Sequence, residues 1–146
     1  MKLPSLLIVT DRGHLTAYQP TEQGSLNELE SHSFREGNAK VSEMVTDQAG
    51  AFPISGTPGT GSFESMPLLA ELEVRCFRKI VEVIATIIDR EGIQRWGLAA
   101  PSEIHGAIVD FLDPAHRESL AVQLKLNLTN SSPQDIRRRF EVELAN

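Results

Sequence analysis

The sequence predicts a single α/β domain built on a mixed five-stranded sheet with helices on its faces. Three observations carry that reading. Leu6-Leu7-Ile8-Val9 is a continuous apolar run, as expected of a strand buried on both faces. A stripe at three- and four-residue spacing runs from Leu69 to Ile88, the pattern of a long amphipathic helix. Beyond it, short apolar runs alternate with helical patterns, which is how crossover connections between parallel strands read.

After the first strand, Asp11-Arg12-Gly13 supplies a turn in which Gly13 is free to take positive φ. Leu15, Ala17 and Tyr18 continue as a second strand up to Pro20, and Thr21 to Ser25 is a second, polar turn. Leu26 to Phe34 reads as a third strand with irregular alternation, and Val41 to Val45 as a short helical turn or strand. Pro, Gly, Ser and Thr then dominate, predicting a flexible loop over about residues 53–65. Ser65 is placed to cap the long helix, with Pro67 in its first turn. Leu69, Leu72, Cys76, Ile80, Val83 or Ile84, and Ile87 form its buried stripe, which Phe77, Val81 and Ile88 widen. Glu71 with Arg75 and Arg78 with Glu82 suit its solvent face, and Gly92 suits its end.

Trp96 to Ala100 is a short interior strand stopped by Pro101. Ser102 is placed to cap a helix carrying Ile104, Ala107, Ile108, Phe111 and Leu112, which Asp113-Pro114 stops. Leu120, Val122, Leu124 and Leu126 alternate as in a half-buried strand. Ser132-Pro133-Gln134-Asp135 opens a last helix buried through Ile136, Phe140 and Leu144. The resulting order, β-β-β-α-β-α-β-α, is that of an RNase H-like fold.

All 146 residues are assigned to one domain, because neither half holds enough apolar sequence for a core of its own. A net charge of −6 works against non-specific binding to a phosphate backbone. Cys76 is the one cysteine, so no intrachain disulfide forms, which suits a reducing compartment. Residues 1–10 lack the hydrophobic length of a signal peptide, and no run approaches the ~20 apolar residues of a membrane span. A cytoplasmic protein without a membrane partner is the expectation.

Thr46-Asp47-Gln48-Ala49-Gly50 resembles the Ser-Asp-x-x-Gly stretch of the host-attachment protein family. The strand ending Ala99-Ala100-Pro101, the helix containing Gly106, and Leu128-Thr129 are similar to that family's later segments, and Asp11 in the first turn fits as well. Leu126-Asn127 stands where the family usually has Lys-Asp, and the arginine often found beyond Gly106 is missing. The family is similar to the central domain of archaeal and eukaryotic peptide-chain release factors. The resemblance therefore implies an RNase H-related sheet and ribosome or tRNA as partners.

The chemistry is sparse. A two-metal nuclease needs carboxylates converging from the first strand, the long helix and the next strand. Asp11 and Glu71 or Glu73 are candidates for the first two, but the Trp96 strand ends in Ala99-Ala100-Pro101. Asp11 reads first as a turn former, and nuclease activity is disfavoured. The glycine-rich stretch Gly56 to Gly61 has neither the Gly-Gly-Gln of a release factor nor the Gly-Lys-Ser/Thr of a phosphate loop. His105 and His116 lack metal spacing and read as surface or hydrogen-bonded histidines, and Cys76 reads as core. The expectation is a non-catalytic binding module without cofactor or metal. Its candidate contacts to RNA or protein are Asp11, Arg12, Asp47, Arg137, Arg138 and Arg139, with Arg35 or Lys125 as additions to the arginine cluster. Arg137 with Glu141 and Arg139 with Glu143 are expected i,i+4 pairs. A degenerate nuclease or hydrolase is the alternative, and a protein-interaction subunit, including a homodimer, is a third reading.

Overall fold

The computed structural model describes residues 2–34 and 58–145, so Asp47, Arg35 and the expected element at Val41 to Val45 lie outside the described residues. The strands are β1 (Leu6–Thr10), β2 (His14–Pro20), β3 (Leu26–Ser33), β4 (Trp96–Ala99) and β5 (Leu120–Leu124). The helices are α1 (Pro58–Glu91), α2 (Ser102–Phe111), α3 (Pro114–Glu118) and α4 (Pro133–Ala145). The five strands form one mixed sheet in the order β3-β2-β1-β4-β5. β1 pairs antiparallel with β2 and parallel with β4, which in turn pairs parallel with β5.

The continuous apolar run of β1 is explained by two cores. Leu6 and Ile8 face a cluster formed with Ile80, Ile84 and Ile87 of α1 and Ile104 and Ile108 of α2. Leu7 and Val9 face a second cluster with Val122, Leu124, Ile136 and Phe140, so α4 covers the opposite side. Alternate residues of a strand point to opposite faces, and a sheet covered on both sides needs apolar residues at every position.

Four expectations are corrected at element ends. α1 begins at Pro58 rather than near Ser65, so residues 58–65 of the expected loop are helical, and residues 53–57 lie outside the described residues. Proline is tolerated in a first turn, and extending an existing helix adds a hydrogen bond for each residue ordered. Ser102 is not a cap: Pro101 occupies that position in extended conformation, and its carbonyl accepts from the Ile104 and His105 amides. Asp113-Pro114 ends α2 but also starts α3, with proline in its first turn. β5 stops at Leu124, which leaves Leu126 39% exposed.

β5 also departs from simple alternation. Trp96 pairs with Leu120 while Gly97 pairs with Val122, so Ala121 is an extra residue in β5. The bulge turns Leu120 toward the α1 face while Val122 and Leu124 pack beneath α4. Gly92 ends α1 as expected, with φ +64° and a bond from the Ile93 amide to the Ile88 carbonyl.

Candidate functional site

β1, β4 and β5 run parallel, so the loops that follow them meet at one edge of the sheet, where α/β sheets present their ligand-binding loops. Asp11 follows β1, Pro101 follows β4, and Asn127 to Thr129 follow β5. A shallow cleft of about 460 Å³ opens there, lined by Asp11, Arg12, His14, Pro101, Glu103 and Asn127.

Asp11 holds this edge together. Its Oδ1 accepts the Gly13 and His14 amides, each at 2.8 Å, and its Oδ2 accepts the Thr129 hydroxyl at 3.0 Å. The Thr129 hydroxyl is also 2.7 Å from Asn127 Oδ1, so its one proton is shared between two acceptors. The Thr10 hydroxyl adds a bond to the His14 carbonyl at 2.8 Å. Gly13 was expected to make this turn through positive φ. The positive-φ glycines among the described residues are Gly24 and Gly92, and it is the Asp11 carboxylate that closes the first turn.

Arg12 points to α1. Its Nε and Nη2 lie 2.9 and 2.8 Å from Glu73 Oε1, and its carbonyl accepts the Cys76 thiol at 3.0 Å. Glu71 pairs with Arg75 at 2.6 Å on the solvent side. The helix carboxylates suggested as metal ligands are thus each bound to an arginine. Ala99 and Ala100 are buried at the end of β4 as expected. Among the described residues no group of three or more His, Cys, Asp or Glu is arranged to hold a metal ion.

The arginine cluster lies elsewhere. Arg137 donates through Nη1 to the carbonyls of Thr21 and Ser25 at 3.3 and 2.8 Å, and through Nε to Glu141 at 3.2 Å. These carbonyls belong to the β2–β3 turn, at the opposite end of β1 from Asp11, roughly 17 Å away at the rise of an extended strand. Arg138 pairs with Asp135, and Arg139 lies 3.9 Å from Asp135 rather than joining the expected Glu143. Asp11 and Arg12 are therefore not brought together with Arg137, Arg138 and Arg139.

His14 and Glu103 reach the Asp11 edge without having been singled out in the sequence, and Asn127 and Thr129, noted there for the family resemblance alone, join them. The signal that could have found them is positional: His14 closes the turn after β1, Glu103 lies in the first turn of the helix after β4, and Asn127 and Thr129 lie in the loop after β5. His105 and His116 are both buried, which corrects the expectation of surface or hydrogen-bonded histidines in part. His116 Nε2 lies 3.2 Å from Asp89, but His116 Nδ1 and His105 Nε2 have no hydrogen-bond partner among the described residues. Loss of water and then the Lys125 charge hold the His105 pKa below the ordinary imidazole value.

Against known proteins, a family model described as "Protein required for attachment to host cells" matches residues 6–140. No curated protein matches the chain. Among the described residues no helix is long and apolar enough to cross a membrane.

Proposed function

The chain belongs to the family of proteins required for attachment to host cells, and from that premise we propose that it serves attachment as a non-catalytic binding module. The observation that supports this reading is the condition of the Asp11 carboxylate. Three hydrogen bonds occupy both of its oxygens and tie the β1–β2 turn to the loop after β5. A carboxylate used in this way organises the edge, since its bonds join the turn after β1 to the loop after β5. The cleft beside it, with His14, Glu103 and Asn127, offers a polar contact surface for a partner.

A protein partner fits better than ribosome or tRNA. Arg137 pairs with Glu141, and Arg138 and Arg139 share Asp135, so two carboxylates offset most of the charge that three arginines would offer a phosphate backbone. A second copy of the chain is one such protein partner. The cytoplasm is the proposed compartment, supported by a lone cysteine that is buried as a thiol.

The test combines a binding and a catalytic measurement. Cross-linking from the Asp11 edge is expected to capture a protein whose yield drops about tenfold in His14→Glu/Glu103→Lys, the scale of a disrupted polar contact. Salt-sensitive co-sedimentation with ribosomes at low ionic strength would instead establish the RNA reading. Metal-dependent cleavage of RNA or DNA, lost in Asp11→Ala, would overturn the non-catalytic one.

A further inference from the structure

At the end of the sheet remote from Asp11, the segment before β1, the β2–β3 turn and α4 enclose a second cleft of about 540 Å³. Leu3, Pro4 and Pro20 supply apolar walls, and Lys2, Glu22, Arg137 and Glu141 supply charge. Arg137 is fixed in place: its side chain is 17% exposed, Nη1 holds two carbonyls, and Nε holds Glu141. A guanidinium has five N–H donors. These bonds leave the pair on Nη2 without an acceptor among the described residues. Lys2 on the rim is exposed and has no ionic partner among the described residues.

We propose that this cleft binds a small carboxylate with an apolar body. The carboxylate oxygens take the Arg137 Nη2 donors and the Lys2 ammonium, and the body lies against Leu3, Pro4 and Pro20. A guanidinium already locked by other bonds loses little freedom when it receives an anion. Charge decides for a monoanion. Lys2 and Arg137 are balanced by Glu22 and Glu141, so the lining carries no net charge. A single carboxylate is met by the Nη2 donors and the ammonium beside it, while a phosphate dianion brings a second negative charge that nothing in the lining offsets. A free α-amino acid and an N-capped one share this carboxylate; Glu22 distinguishes them by receiving the ammonium of the former.

This site is independent of the Asp11 edge, so its failure and that of the attachment reading are separate results. Two-dimensional ¹H–¹⁵N NMR of the whole chain would follow the Arg137 Nε–H and the Leu3, Thr21 and Glu22 amides. The probes are N-acetyl-leucine, leucine, N-acetyl-leucinamide and inorganic phosphate. N-acetyl-leucine is expected to give saturable shifts at those signals, with a dissociation constant on the order of millimolar. Lys2→Ala, a substitution at an exposed side chain, is expected to weaken it about threefold, the scale of one exposed charge partner. Tighter binding of leucine that disappears in Glu22→Gln would support the site and assign Glu22 to the ammonium. No saturable shift, equal shifts with the neutral amide or with phosphate, or unchanged binding in Lys2→Ala would overturn the proposal.

Discussion

His105 is 2% exposed on α2, next to Ile104 of the buried stripe, and its Nε2 has no hydrogen-bond partner among the described residues. Burial first and the Lys125 charge second depress its pKa, so the folded protein resists protonating it. The unfolded chain takes up that proton near the ordinary value of about 6.5. Between the two pKa values the unfolded state binds more protons, so stability is complete above the unfolded pKa. It falls as pH drops through that value and levels off below the folded one. Urea midpoints measured from pH 8 downward are expected to show this decline below about pH 6.5. His105→Leu is expected to flatten it; an equal decline in the variant would clear His105 as its source. Asp11 offers the contrasting case in legibility. Its bonds to the amides two and three residues ahead are local, and a sequence reading finds them from the residue type alone. Its bond to Thr129, 118 residues away, has no local signal. The burial of His105 is equally hidden, because it depends on what packs beside the helix.

Gly97 of β4 lies beneath Phe140 of α4, between Leu7 and Val122. A Cβ there would lie 2.7 Å from Val122 Cγ1, 3.0 Å from Leu7 Cδ2 and 3.1 Å from Phe140 Cε1. Its φ is not positive, so the constraint is steric rather than conformational. Gly97→Ala is expected to cost about 1–3 kcal/mol as overpacking, read from chemical denaturation. No loss of stability would mean that α4 moves away from β4 without penalty. In the sequence this glycine merely looks like a weak point in a short strand. The long helix was easier to recognise, since Leu72, Cys76, Ile80, Ile84 and Ile87 are all buried at the expected spacing. Its start was misplaced because composition argued for a loop, whereas helix extension from an established core favoured continuing to Pro58. The bulge at Ala121 was invisible because strict alternation from Leu120 to Leu124 implies one face, and only pairing with β4 reveals the extra residue.

At the scale of the molecule, β1 links the two cores by contributing alternate residues to each. The single Trp96 is fully buried in the α1-side core, while Leu7 belongs to the α4-side core. Loss of either core exposes one face of the same central strand, so the two are expected to unfold in one transition. Trp96 fluorescence and far-UV circular dichroism should therefore give coincident urea curves. Leu7→Ala, though on the far face, should shift the fluorescence midpoint by the equivalent of about 2–5 kcal/mol. Two separated transitions would show that the faces unfold independently. The sequence by itself determined the α/β class, most strand and helix spans, and the double-sided burial of β1. Those features leave a local signature in the chain: a period where one face is buried, and an unbroken apolar run where both are. Tertiary structure alone decided that Asp11 meets Thr129 at one end of the sheet while Arg137 clasps Ser25 at the other. Each of those pairs joins residues more than 110 positions apart, and strand order, which local periodicity does not encode, is what brings them together.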